Sequence, residues 1–394
     1  MNSIINIAYR EIKYILTSKS RISLLIVIPL VVFLFLNSIY VKELVHDISI
    51  AVVDQDHSVL TRAITRSIDA TATVKVVYRL SSMEEAKRLI YEGKIQGIYY
   101  YPKGMTAKIF KGGTGKMGVL INSTNIIYSN LLLKESAQVI ITIASGILLK
   151  ELISQPMAIE QAMALVQPIK INAKPLYNPN YNYLQYLTPG LMTVLFQMLI
   201  MFAAVGAINR EFEDKTFADL LRISNGKLFP VFAGKLLAYV LASVFTIVLI
   251  LVVIYPMFHI RIYGNILFLF FYFIWFAFVS ASMGLMISAI FTDRVLALDI
   301  AFFYNSPAFV FSGFTFPIWA MPAFQQLYAT IIPYTYFLTG FLQIYQMNVP
   351  VLDVLPSIIK LGVFFVIGLV GTILALKYQI KKMDFSMTSE VAET

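Results

Sequence analysis

The chain has 394 residues, of which 58% are hydrophobic and only 13% charged, about half the charged share of a soluble domain. Its 31 Lys and Arg outnumber 22 Asp and Glu, giving a net charge of +9, and it has no cysteine and only three histidines, His46, His57 and His259. Disulfides, zinc-thiolate sites and cysteine nucleophiles are excluded, and the excess base reads as cation flanking membrane spans rather than as a nucleic-acid surface.

Residues 1–21 read as a cytoplasmic amphipathic segment. In IAYREIKYIL (7–16), Ile7, Ile12 and Ile15 oppose Arg10, Glu11 and Lys13, as in an elbow helix lying on the inner leaflet. Ile22–Val41 is the first apolar run of the roughly 20 residues that a span needs. No small-x-small cleavage site follows it, so a retained signal anchor is expected instead of a cleaved signal peptide.

Residues 42–185 form a long insertion before the second span, and their alternating patterns predict a small α/β domain. ISIAVVD (48–54), TVKVVY (73–78), GIYYYP (97–102) and MGVLIN (117–122) read as strands. SVLTRAITRSI (58–68) places Leu60, Ile64 and Ile68 on one helical face, Ser82 and Glu85 form a capping-box pair, and a long helix is expected over Tyr128–Leu152. Two stretches imitate ligand motifs. KGGTGKMG (111–118) has Phe110 and Met117 where a phosphate-binding loop needs Gly and Ser or Thr, so a glycine-rich turn is expected. DQDHS (54–58) has Val59 and Thr65 where a calcium loop needs Gly and an acid, so a strand-to-helix turn with an Asx or Ser cap is expected. YNPNYNYLQY (177–186) then returns the chain to the bilayer with an interfacial tyrosine belt.

Further apolar runs cover Tyr186–Ile208, Leu236–Met257 and Ile266–Thr292. After Asp299 there is no charge until Asp353, and Pro317, Pro322, Pro333 and Pro350 divide that stretch into a span and short broken pieces. Val354–Leu376 completes six spans within residues 186–380 and the first run, and 381–394 form a tail. Lys and Arg concentrate in the N-terminus, in 209–235, beside Asp293–Arg294 and after Leu376, whereas the opposite side has little beyond Arg261 and a snorkelling Lys360. The positive-inside rule then puts both termini in the cytoplasm and the 42–185 domain outside. The fold class is an α-helical membrane protein with six transmembrane helices and an extracytoplasmic α/β domain between spans one and two.

In the inner stretch that opens with NREFEDKTFADLL (209–221), Glu211, Glu213, Asp214 and Asp219 are as numerous as the bases up to Lys227 (Arg210, Lys215, Arg222 and Lys227), and a topology signal alone needs no acids. Thr216 and Asp219 form a capping-box-like pair, SNGK (224–227) is a stop with Asn225 or Gly226 at positive φ, and Pro230 suits the first turn of the next helix. A short helix over 217–223 is expected, within a coupling loop at 209–230, as a mixed-charge rod suited to docking on another protein. Asp299, inside the fifth span, is a candidate functional acid or an interfacial group paired with Arg294 or Lys235. Pro189, Gly190 and Pro307 are candidate kinks that shape a transport path.

On these residues the chain resembles the permeases of the type-2 ATP-binding-cassette (ABC) transporter family, in its drug-exporter branch. Their inner loop reads Arg-Glu-x-Glu-x-Gly-Thr-x-Glu-x-Leu. With one residue of slack it matches Arg210, Glu211, Glu213, Thr216 and Leu221, and it departs at Lys215 for Gly and Asp219 for Glu. NSPAFVFSGFTFPIWAMP (305–322), with Ser312, Gly313 and Pro317, resembles the family's Ser-Gly-x-x-x-Pro stretch, and IIPYTYFLTGF (331–341) matches its outer segment in part. The resemblance implies a permease subunit of an ATP-driven exporter of hydrophobic or amphipathic cargo in a bacterial plasma membrane. It implies that Arg210, Glu211, Glu213, Thr216, Asp219, Leu220 and Leu221 couple the chain to a separate cassette ATPase. That ATPase would hold the ATP and Mg, this chain binding no cofactor itself. A second permease copy or homologue and a periplasmic adaptor are the other implied partners. The alternative is a mechanotransmission or scaffold protein that moves its outer domain without passing cargo; such relatives usually have four spans. A membrane-embedded enzyme is disfavoured because no His/Asp cluster lies near a span.

Overall fold

A computed structural model describes residues 2–17, 19–41, 46–154, 157–168, 175–178 and 182–392. Residues 42–45 and 169–174, at the two ends of the expected insertion, lie outside the described residues, as does Tyr181 of the expected tyrosine belt. The chain divides into two compact units, Leu44–Lys174 and Met1–Glu43 with Pro175–Thr394.

The Leu44–Lys174 unit is built on a four-stranded sheet in the order β2-β1-β3-β4, with β1 Ile48–Asp54, β2 Val74–Leu80, β3 Gly97–Tyr101 and β4 Gly118–Ile121. β1 runs parallel to β2 and β3, and β4 is antiparallel to β3. Successive side chains of a strand point to opposite faces. Ile48, Ile50 and Val52 of β1 accordingly join Tyr99 and Tyr101 in one core, while Ala51 and Val53 join Ile98 and Ala86 in another. Helix Val59–Asp69 starts on a capping box in which the Ser58 hydroxyl accepts from the Thr61 amide. Asp54 Oδ1 accepts from the amides of Asp56 and His57, so DQDHS is an Asx turn feeding a Ser cap. At the next helix, Met83–Tyr91, Ser82 accepts from Glu84 rather than from the expected Glu85.

Among the described residues, six helices are long and apolar enough to cross a membrane: Tyr128–Ile153, Tyr183–Glu213, Leu228–Met257, Ile266–Ile290, Arg294–Phe311 and Val351–Lys382. One member differs from the expected set. The first expected run folds as Lys19–Ile22, π-helical Ser23–Val27 and Ile28–Ile39, an unbroken helical run whose α-helical apolar part is short. Tyr128–Ile153 meets the length and composition criterion, yet it belongs to the sheet unit. Leu132 packs against Gly97 of β3, and the Ser136 hydroxyl is hydrogen-bonded to that of Tyr99 at 2.5 Å.

In the other unit, Tyr183–Glu213 packs on Ile266–Ile290 and on Arg294–Asn305, and Ile266–Ile290 packs on Val351–Ala392. The N-terminal helix Asn2–Thr17 lies along Leu228–Val248. Their closest approach is at Gly234, where a Cβ would stand 2.7 Å from the Ile7 Cβ, so only glycine fits unless the helices separate. Pro189 does not unwind the 183–213 helix. A helix-interior proline removes one amide and frees the carbonyl four residues earlier. Here that carbonyl, of Gln185, is approached by Tyr345 Oη at 3.4 Å and Gln346 Nε2 at 3.5 Å. Pro307 does interrupt its span: the helix stops at Asn305 and resumes at Ala308.

Candidate functional site

The 183–213 helix ends by a local rule. Lys215 adopts φ +56°, its amide reaches the Phe212 carbonyl, and the Thr216 amide reaches the Glu211 carbonyl at 2.9 Å. This is a Schellman ending, in which the left-handed residue is usually glycine. The family pattern has Gly at this place, so Lys215 keeps the conformation while replacing the residue. Helix Phe217–Ile223 follows immediately and ends in the same way, with Asn225 at φ +53° and Gly226 at φ +71°. A seven-residue rod is thereby held between two left-handed corners.

The rod has two faces. Phe217 and Leu220 are buried, with Phe217 stacked on Phe212 at 4.5 Å between ring centroids, and Leu221 is half-buried. Glu213, Asp214, Lys215, Ala218, Asp219 and Arg222 are exposed. The expected Thr216–Asp219 cap is not formed. Thr216 is the N-cap residue, but its hydroxyl donates to Glu211 Oε2 at 2.5 Å, and Asp219 stands in solvent 3.8 Å from Arg222. The charge-assisted bond to the buried Glu211 carboxylate turns the hydroxyl away from the first-turn amides, from which an N-cap oxygen would otherwise accept.

Beneath the rod lies a buried ionic network that joins three helices. Glu11 of the N-terminal helix accepts from Arg210 Nη2 at 2.9 Å, from Lys235 Nζ at 2.8 Å and from Tyr239 Oη at 2.8 Å. Glu211 accepts from Lys235 Nζ at 2.8 Å and from Arg10 Nη2 at 2.9 Å. The Arg210 guanidinium lies over the Tyr14 ring, 3.4 Å from its centroid. Glu11, Glu211 and Lys235 are each at most 2% exposed. Burial alone would raise the Glu11 pKa, but Lys235 and Arg210 outweigh it and hold the carboxyl below the usual carboxylate range.

The residues named for coupling thus divide into two groups. Arg210 and Glu211 are buried in the network, with Thr216 at its edge, whereas Glu213 and Asp219 face solvent. Glu11 and Lys235 complete the network, and sequence reasoning placed neither of them there. Glu11 does not oppose the apolar stripe; it lies on it, buried with Ile7 and Ile15 at four-residue spacing. A lone acid on an apolar stripe, and a lone base immediately before the apolar run Leu236–Met257, were the available signals.

The remaining candidates sit elsewhere in this unit. The structure brings Gly190 to the 312–317 turn: a Cβ on Gly190 would stand 2.6 Å from the Phe314 ring. Gly313 turns at φ +89°, the buried Ser312 donates to the Phe309 carbonyl, and Pro317 leads the short 3-10 helix Ile318–Ala320. Tyr186 stacks on Phe314 at 4.9 Å and donates to its carbonyl at 2.9 Å. Asp299 is exposed and pairs with neither of its expected partners, since Lys235 is held by Glu11 and Glu211.

The apolar helices of this unit define a multi-pass membrane protein. The chain belongs to the ABC-2 family of transporter proteins, whose family model matches residues 19–374. It is similar to the probable multidrug ABC transporter permease YbhR of Escherichia coli, with 21% identity over 82% of this chain and 84% of that protein. It is also similar to the probable multidrug permease YbhS of the same organism, 27% identical over 46% of this chain and 49% of that protein. A third relative is ABC transporter G family member 20 of Dictyostelium discoideum, 30% identical over 46% of this chain. The chain spans a quarter of that protein's length and about half of YbhS. Family membership implies a cassette ATPase as partner.

Proposed function

We propose that this chain is the permease subunit of an ATP-driven exporter and that helix 217–223 is the seat of its cassette ATPase. The observation that carries the reading is the rod itself: one face is sealed to the bundle, the other presents mixed charge, and a left-handed residue fixes each end. In this reading the ionic network is the transmission. A push on the rod reaches the 183–213 helix through Glu211, the 228–248 helix through Lys235 and the N-terminal helix through Glu11, because the buried charges hold all three together. Two such permeases, as a homodimer or with a homologue, would rock against one another.

The same reading places both termini and the rod in the cytoplasm of a bacterium and the 44–174 unit outside, on the concentration of Lys and Arg around the rod. The Ile28–Ile39 run serves as the anchor span, and Tyr128–Ile153 stays with the sheet it packs on. Hydrophobic or amphipathic cargo, drug-like molecules included, fits the names of the two Escherichia coli relatives, and a periplasmic adaptor fits an outer domain. ATP and Mg remain on the partner, and this chain supplies no catalytic group. The four-span mechanotransmission alternative is disfavoured by five further candidate spans among the described residues, which with the Ile28–Ile39 anchor make six in this reading.

The test is Glu213→Arg with Asp219→Arg. Membrane insertion should stay normal while ATPase co-purification falls about ten-fold, equivalent to ~1.4 kcal/mol, with export falling in step. Unchanged co-purification and export would remove the seat.

A further inference from the structure

Tyr345 and Gln346 lie against Gln185, at the start of the 183–213 helix, so the 345–351 segment marks the end of the bundle opposite Arg210. Lys360 sits near this end, about 14 Å along its helix from Val351 at 1.5 Å per residue. It opens onto a cleft of about 460 Å³ whose walls include Tyr304, Thr330, Tyr336, Val363 and Phe364. Its ammonium lies over the Tyr336 ring, 5.0 Å from the centroid, and no carboxylate among the described residues pairs with it.

The hydroxyls in the cleft are already committed as donors. Tyr304 donates to the Ile331 carbonyl at 2.7 Å, Tyr336 to Thr330 at 3.1 Å and Thr330 to Leu327 at 2.7 Å. The ammonium is therefore the free donor group of this lining, and it carries the positive charge. Val363 and Phe364 extend the cleft as an apolar wall along the membrane-spanning helix. A lysine in a span with no acid to meet it needs an anion or water, and an ammonium beside an apolar wall is complementary to a phosphate with an acyl chain.

We propose that this cleft is a binding site for an anionic phospholipid, with the phosphate on Lys360 and an acyl chain along Val363 and Phe364. Lys360 is exposed in the single chain, and the cleft is separate from the ionic network and from the 217–223 rod.

Native mass spectrometry of the full chain in detergent tests this, with phosphatidylglycerol or phosphatidylcholine of equal chain length added. The wild type should retain phosphatidylglycerol several-fold better. Lys360→Met should lose that preference and Lys360→Arg should keep it. Val363→Trp, which keeps the charge and fills the cleft, should lose retention while remaining monodisperse. Excess inorganic phosphate should leave the lipid bound. Equal retention by Lys360→Met and wild type would overturn the proposal. So would displacement by inorganic phosphate, which would reduce the site to a simple anion site. Loss of self-association in Lys360→Met with lipid retention unchanged would give the cleft to a second copy and equally overturn it.

Discussion

Glu11 carries more of this molecule than its place in a polar-looking N-terminal segment suggests. Removing one member of a buried ion network leaves the others charged and unpaired, at a cost of about 3–5 kcal/mol. Glu11→Gln should therefore lower thermal stability in detergent by an amount of that order, measured by intrinsic fluorescence, whereas the exposed Lys13→Gln should change it little. The pH dependence has a definite sign. The Glu11 pKa is depressed in the folded protein, so its contribution is complete above the unfolded value of about 4.3 and is lost as pH falls through the lower folded value. Glu11→Gln should accordingly lose part of the wild type's acid sensitivity below about pH 4.3. Lys215 offers a second check at this scale. A non-glycine residue in the left-handed region costs about 1–2 kcal/mol, so Lys215→Gly should be tolerated or mildly stabilising. Lys215→Val, β-branched at positive φ, should destabilise by about as much again. The stop at Asn225–Gly226 was legible from residue type, whereas the corner at Lys215 was not, because lysine seldom adopts positive φ. The destination of the Thr216 hydroxyl was not legible either, because an N-cap motif states which amides a side chain can accept from but not which distant carboxylate will orient its O–H.

At the level of elements, the seam between the N-terminal helix and the 228–248 helix decides whether the network can form. Gly234 lets the two helices meet one residue from Lys235. Gly234→Val should force them apart, destabilise by about 1–3 kcal/mol through overpacking and expose Lys235. Proteolysis of the N-terminal segment, slow in the wild type, should then become fast. The strands and the short rod could be read from sequence because alternation and punctuation are local signals. This seam could not, since Glu11 and Lys235 are 224 residues apart and each looks ordinary in its own window. Pro189 shows the converse. Its residue type predicts a break, but Tyr345 and Gln346 from a distant helix approach the freed carbonyl, and the helix continues.

For the whole molecule, composition and hydropathy sufficed to identify a multi-pass membrane protein, because burying apolar surface in lipid is a property of the entire chain. The sequence pattern kept Tyr128–Leu152 with the strands of the 42–185 domain, and the helix does pack on that sheet, although length and composition alone also make Tyr128–Ile153 a candidate span. The central claim is that the rod and the network have separate duties, docking and transmission. The measurement that tests it most directly is ATP hydrolysis by the assembled complex in lipid, with and without cargo, for Glu11→Gln beside Asp219→Arg, at a temperature where both variants are folded. Asp219→Arg should weaken ATPase docking, whereas Glu11→Gln should keep the ATPase bound but lose cargo stimulation and export. Wild-type cargo stimulation and export in Glu11→Gln would contradict this division of duties.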